Sequence, residues 1–269
     1  MKKHGLQVTD AAQKAEVLND TFQSVFTPVP MDSHLPRDTC SPYPDMPDIT
    51  ISAEGIKKLL ENINPSKTGG PDGLRPRVLK ELAIPISPIL QKIFSESLCQ
   101  CAVPDDWKLA IITPVYKKGD RNCPGNYRPI SLTCKCSKLL EHIVTSELTT
   151  YFTEHNILYH LQHGFRHGRS CESQLLELTS TLQANVNARA QTDLIIMDFS
   201  KAFDKVCHKK LISKLDFYGV RGNTLQWISC FLEGRQQCVE LEGTQSSILV
   251  SSQGFPKGQL LAQLYSLYI

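Results

Sequence analysis

DLIIMDFSKAFDKV, residues 193–206, is the stretch on which the reading of this chain turns. Leu194 to Met197 form a short, continuous apolar run bounded by polar residues. That pattern predicts a central strand, buried on both faces, that delivers one carboxylate, Asp198, at its C-terminal end. Ser-Lys-Ala-Phe-Asp then leads into a helix and offers backbone N–H groups beside that carboxylate, where a triphosphate and its metal can be cradled. Taken alone, an Asp at a strand end is more often a helix cap than a metal ligand. A hard cation such as Mg²⁺ takes several oxygen ligands, and two-metal nucleotidyl transfer draws carboxylates from more than one element. The sequence ends before a second strand of this kind, so half of a metal site is expected.

Outward from this run, the helical and strand periods alternate. Downstream, Leu211, Leu215, Leu225, Trp227, Ile228 and Phe231 recur at helical spacing, and Gln236 to Leu241 and Ser247 to Val250 flank Glu242-Gly243-Thr244 as a hairpin. Upstream, Leu175, Leu176, Leu178 and Leu182 predict one helix, and Leu139, Leu140, Ile143, Val144 and Leu148 another. Before these, Leu109 to Tyr116 and Tyr127 to Leu132 read as a basic hairpin around the turn-rich stretch from Lys117 to Asn126. Two amphipathic helices precede it. One is capped by Ser52, with Ile56, Leu59, Leu60 and Ile63 inward; the other runs over about Ile86 to Leu98, with Ile89, Leu90, Ile93, Phe94 and Leu98 on one side. A further helical pattern covers Thr9 to Phe26, and Pro28 to Pro47, rich in Pro, Ser and Asp, reads as a linker.

With 269 residues and 41% hydrophobic side chains the chain can bury a sizeable core. The formal net charge is only +2, yet Lys108, Lys117, Lys118, Arg121, Arg128, Lys135 and Lys138 stand against the single acid Asp120 between positions 108 and 138. That asymmetry suits a phosphate-facing surface, although a short basic run also serves as a plain solvated face. The ten cysteines are scattered and lack zinc-site spacing, and Cys99/Cys101 and Cys134/Cys136 read as buried thiols of a reducing compartment. His160, His163 and His167 are interrupted by Gly164, so no zinc site is expected there. No apolar stretch reaches the roughly 18 residues of a membrane span, and the expected location is intracellular, with nucleus and cytoplasm both open.

Six segments, in order, carry a resemblance: KAEVLNDTFQSVFT, GGPDGLRPRVLKELA, VPDDWKLAIITPVYKKGDRNCPGNYRPISL, LQHGFRHGRS, DLIIMDFSKAFDKVCHKKLISKL and GFPKG. Together they resemble the reverse transcriptase of LINE-type, non-LTR retrotransposons, from about Ala15 to the last residue. The resemblance implies an α/β fold made of the fingers and a partial, incomplete palm of a right-hand polymerase. Its expected divisions are an N-terminal helix and linker (1–50), a helical extension (51–106), fingers (107–190) and partial palm (191–269). It implies RNA-templated DNA synthesis by two-metal nucleotidyl transfer, with Mg²⁺ as cofactor and an RNA template, a DNA primer and deoxynucleoside triphosphates as partners. On this pattern Asp198 is the first catalytic carboxylate and the Phe199 carbonyl a further metal ligand. Lys201 and Ala202 offer N–H groups to the triphosphate, and Phe203 closes the pocket under the sugar. Lys117, Lys118 and Arg128 belong to the fingers hairpin over the triphosphate, and Lys257 and Gly258 to the glycine turn beside it. Arg166 faces the template or the fingers–palm junction, with a structural role left open, and Asp204 is a capping or ion-pairing residue.

The sequence departs from the pattern in two places. Lys257 stands where the family has Gln, which exchanges a paired donor and acceptor for an ammonium, and Ala262-Gln263 replace Gly-Pro. The aromatic-x-Asp-Asp hairpin with the remaining carboxylates does not occur in these residues. The expectation is therefore an inactive fragment, with a non-catalytic nucleic-acid-binding remnant as the alternative.

Overall fold

The computed structural model describes residues 1–3, 6–26, 41–198 and 202–251. Two short strands, β1 (Lys2–Lys3) and β2 (Leu6–Gln7), precede helix α1 (Ala11–Gln23), whose N-cap Asp10 accepts from the Gln13 amide at 3.0 Å. Helices α2 (Ala53–Glu61), α3 (Pro76–Glu81), α4 (Ala83–Cys99) and α5 (Asp105–Lys108) lead into strands β3 (Leu109–Tyr116) and β4 (Tyr127–Leu132). Then come α6 (Lys135–Glu154), α7 (Cys171–Asn187), a 3₁₀ turn at Ala202–Lys205, α8 (His208–Phe217) and α9 (Gly222–Leu232). Strands β5 (Arg235–Leu241), β6 (Thr244–Gln245) and β7 (Leu249–Ser251) follow.

One five-stranded mixed sheet organises these pieces. β4 runs antiparallel to β3, β3 runs parallel to β5, and β6 and β7 both pair antiparallel with β5. Leu241 faces Thr244 while Arg235 faces Ser251, so β6 and β7 are one strand with a single extra residue inserted between them, a bulge. Ser246 fills it: its hydroxyl accepts from the Val239 amide at 2.9 Å and its own amide bonds the Val239 carbonyl.

Alternation along the strands decides which face is covered. Ala110 and Ile112 pair with Gln237 and Val239, and that face is buried under Ala15, Leu18 and Phe22 of α1. Asn19 of α1 adds polar ties, donating to Ser246 Oγ and the Ser247 carbonyl and accepting from Gln237 Nε2, all at 2.9 to 3.0 Å. The N-terminal helix is thus a layer of the sheet. The main core lies elsewhere, where α2, α4, α6, α8 and α9 bury Leu60, Phe94, Leu140, Leu148, Leu211, Trp227 and Phe231 together. Trp227 stacks on Phe231 with ring centroids 5.0 Å apart, and its Nε1 donates to Ser97 Oγ at 2.9 Å, so the indole is both packed and satisfied.

Four sequence expectations change. Leu194–Met197 is not a strand: none of the described strands pairs with it, and Ile195, Ile196 and Met197 are 82%, 83% and 84% exposed. A run of Leu and Ile carries the composition of a buried strand, but the ladder that makes it one comes from other segments, and among the described residues none lies beside it. On α4, Leu90, Phe94 and Leu98 are buried while Ile89 and Ile93 are exposed, so the inward stripe is narrower than read. Cys134 and Cys136 are buried as expected, but Cys99 is exposed and Cys101 only partly covered. Finally, residues 41–46 of the expected linker are docked: Tyr43 packs edge-on against Phe217 and Tyr218, and Met46 donates to the Gly219 carbonyl at 2.8 Å.

Candidate functional site

The β3–β4 hairpin is built from the register outward. Val115 pairs with Arg128 and Tyr116 with Tyr127, and the Lys117 amide extends the ladder by donating to the Asn126 carbonyl at 2.9 Å. Strict alternation therefore gives the hairpin two different faces. Tyr116 and Tyr127 share the face covered by α1, and Tyr127 packs against the α1 cluster. On the other face Thr113, Val115, Arg128 and Ile130 are all exposed, and Lys117 continues that row. Lys118 is exposed beside it at the tip.

The tip from Lys117 to Asn126 is held by its own polar groups. Asp120 Oδ1 accepts from the Asn122 amide at 2.9 Å and from Asn122 Nδ2 at 3.1 Å. Asn126 Nδ2 donates to the Asp120 carbonyl at 2.9 Å, and the Tyr127 hydroxyl donates to the Arg121 carbonyl at 2.9 Å. The one acid of the basic stretch is thus engaged in the turn. The cations at the other end of that stretch differ: burial lowers the pKa of the Lys135 and Lys138 ammonium groups, with Lys67 and Lys135 respectively adding repulsion. Both are partly buried on α6, so the solvent-facing cations of the stretch are those of the hairpin.

Asp198 is exposed and belongs to no helix or strand, and no described group of three or more His, Cys, Asp or Glu could hold a metal ion. Ala202, the first residue of the 3₁₀ turn, packs partly buried against the main core, and Asp204 in the same turn is buried, as a capping or ion-pairing residue would be. The Phe203 backbone belongs to that turn. Phe199, Lys201, Lys257 and Gly258 lie outside the described residues.

Arg166, partly buried, donates from Nη1 to the Tyr159 carbonyl at 3.0 Å on its own loop. His163, buried, is the clasp of that region, with Nδ1 2.8 Å from Ser173 Oγ and Nε2 2.8 Å from Glu177 Oε2 of α7. Arg169 adds to the clasp at 3.3 Å from His163 Nε2. Ser173 Oγ is also bonded to the Ser170 amide and carbonyl at 2.9 Å, so it is locked into the capping box of α7. The sequence held no signal for this clasp beyond His163 itself, because its partners are set by how α7 folds back on the loop.

Comparison with known proteins bears on the same residues. The family model "Reverse transcriptase (RNA-dependent DNA polymerase)" matches residues 115–268, a span that contains every candidate from Lys117 to Gly258. The chain is 30% identical over 261 residues to the "Probable RNA-directed DNA polymerase from transposon BS" of Drosophila melanogaster, covering 94% of this chain and 27% of that protein. It is 26% identical over 273 residues to the "RNA-directed DNA polymerase from mobile element jockey" of the same species, covering 95% and 29%. With the "Retrovirus-related Pol polyprotein from type-1 retrotransposable element R2" of Popillia japonica it shares 24% identity over 213 residues, 79% of this chain and 29% of that protein. The chain spans less than a third of each of these relatives.

Proposed function

This chain belongs to the reverse transcriptase (RNA-dependent DNA polymerase) family, and on that premise we propose that it supplies the nucleic-acid- and triphosphate-binding fingers, with part of the palm, of a non-LTR retrotransposon polymerase. The observation that carries this reading is the open face of the hairpin. It offers Arg128 and Lys117 in one row, outside the core, on a strand pair whose opposite face is fixed by α1. A guanidinium there can grip a phosphate through two parallel N–H groups, while Lys117 and Lys118 act as point charges. Exposed beside them, Val115 and Ile130 give the same face apolar surface for a sugar or base.

Polymerases of this family use divalent metals. Asp198 is our candidate for one metal ligand, with the Phe199 carbonyl as a second, and the Lys201 and Ala202 amides, Phe203, Lys257 and Gly258 are assigned to the nucleotide pocket. Among the described residues, however, the donor set does not fit a magnesium centre, which takes about six oxygens: Asp198 stands outside any group of ligating side chains. What these residues can do by themselves is bind and orient phosphates. We expect a polypeptide of these 269 residues to bind primed RNA templates without extending them.

The test is salt-dependent binding of a primed RNA template by the purified chain. We expect affinity to fall steeply with salt, and Arg128→Gln to weaken binding of a deoxynucleoside triphosphate by about tenfold, the scale of one charge-assisted hydrogen bond. Mg²⁺-dependent incorporation by this chain, abolished by Asp198→Ala, would instead show that the metal site is complete.

A further inference from the structure

Arg121 is the one cation of the hairpin tip with no task in triphosphate binding, and its setting differs from that of Arg128. Its guanidinium carbon lies 5.0 Å from the centroid of the Tyr116 ring. Tyr116 meets Tyr127 edge-on with centroids 5.7 Å apart, and the Tyr116 hydroxyl bonds the Gly119 carbonyl. Tyr127 in turn holds the Arg121 backbone through its own hydroxyl. Two tyrosines thus fix one guanidinium over an aromatic face, and do so on the α1 side of the hairpin, opposite Arg128.

Among the described residues no acid forms an ion pair with the charge on this side. Asp120, the neighbouring acid, spends Oδ1 on Asn122, and none of the ion pairs among the described residues involves Arg121. Arg121 is exposed, while its tyrosine platform is partly covered. A guanidinium lying on an aromatic ring keeps its second flat face and its edge N–H groups free of that ring. The flat face stacks on a base, and the edge reaches a phosphate. A base plane followed by a backbone phosphate is what a single strand presents; a triphosphate offers its charge without the same repeating alternation.

We infer that the cluster of Arg121 over Tyr116, braced by Tyr127, is a second docking point, for the backbone and bases of a single-stranded nucleic acid, on the face of the hairpin opposite the Arg128 row. Tyr116 and Tyr127 are positioning residues in this arrangement, and Arg121 is the residue that touches the strand. The inference rests on the function proposed for the hairpin, in that it assumes the hairpin handles nucleic acid.

The experiment uses the full chain with two probes, a short single-stranded oligouridylate and a deoxynucleoside triphosphate with Mg²⁺. Arg121→Gln is expected to weaken the strand about three- to tenfold near 0.1 M salt and to reduce the slope of log affinity against log salt by about 0.7, the increment that one neutralised phosphate contributes on a single strand. Its triphosphate affinity should stay unchanged, whereas Arg128→Gln should lower it. Tyr116→Leu keeps the charge but removes the platform, so it should weaken the strand with the salt slope intact. A purely structural Arg121 would leave that slope where it was. An Arg121→Gln chain with the parental slope, or one that loses both probes equally, overturns this inference alone. An unsubstituted chain that binds neither probe overturns the reading beneath it as well.

Discussion

Arg235→Ala is expected to destabilise the fold by about 3–5 kcal/mol, the cost of leaving a buried charge without its partner. Arg235 is 2% exposed and Glu141 of α6 is 1% exposed. Burial pulls the Arg235 guanidinium down to about 10, and the Glu141 carboxylate acts in the opposite direction, holding its proton on. At about 10 the Arg235 guanidinium still carries its charge at neutral pH inside the protein. The guanidinium is further anchored by Nη1, which donates to the Phe231 carbonyl at 3.2 Å, and it lies 4.9 Å from the Phe231 ring centroid. Removing the cation takes away the opposite charge that acts across from the buried Glu141 carboxyl, so the single substitution costs more than the pair contributes. The double substitution Glu141→Gln with Arg235→Met should recover to within about 1–2 kcal/mol of the parent, because volume is kept and both desolvation penalties vanish. Urea unfolding midpoints of the two singles and the double decide this. Additive losses would mean that the two charges are not coupled.

Gly219→Ala should cost about 2–4 kcal/mol, combining a left-handed backbone with a steric clash. Gly219 sits at φ +88°, and a Cβ there would overlap the Pro44 carbonyl and the Tyr151 hydroxyl. Those two groups bond each other at 2.7 Å, and the same hydroxyl lies 2.8 Å from the Tyr218 carbonyl. The substitution therefore has to lift residues 41–46 off the end of α8, breaking also the bond from the Met46 amide to the Gly219 carbonyl and the Asp45–Arg221 ion pair. Gly222→Ala is the control. Gly222 has φ +58°, and nothing lies within 4 Å of the point where a Cβ would stand, so only the backbone cost of about 1 kcal/mol applies. Equal losses for the two variants would show that the strap contributes nothing to stability.

Much of the candidate site was legible from neighbours in the chain. The hairpin strands came out at Leu109–Tyr116 and Tyr127–Leu132 as expected, because alternation and turn residues are local properties and a register follows from them. Ser52 caps α2 by accepting from the Gly55 amide at 3.0 Å, another local event. Arg121 was counted as one more cation, since nothing in KKGDRNC says that its side chain returns to the ring of Tyr116. Nothing local to Arg235 tells that it is 2% exposed or that Glu141 of α6 comes near enough to act on its charge.

What the amino-acid order settled here was the family, the helices and strands that depend on spacing of a few residues, and which side chains of the hairpin alternate. What only the folded arrangement decided was whether each apolar or charged group finds a partner. Glu141 and Arg235 became buried opposite charges within each other's influence, residues 41–46 became a strap, and Leu194–Met197 stayed in solvent. The physical reason is the same throughout: periodicity fixes the direction a side chain takes from its own backbone, whereas burial and pairing depend on segments far along the chain, whose approach no local pattern encodes.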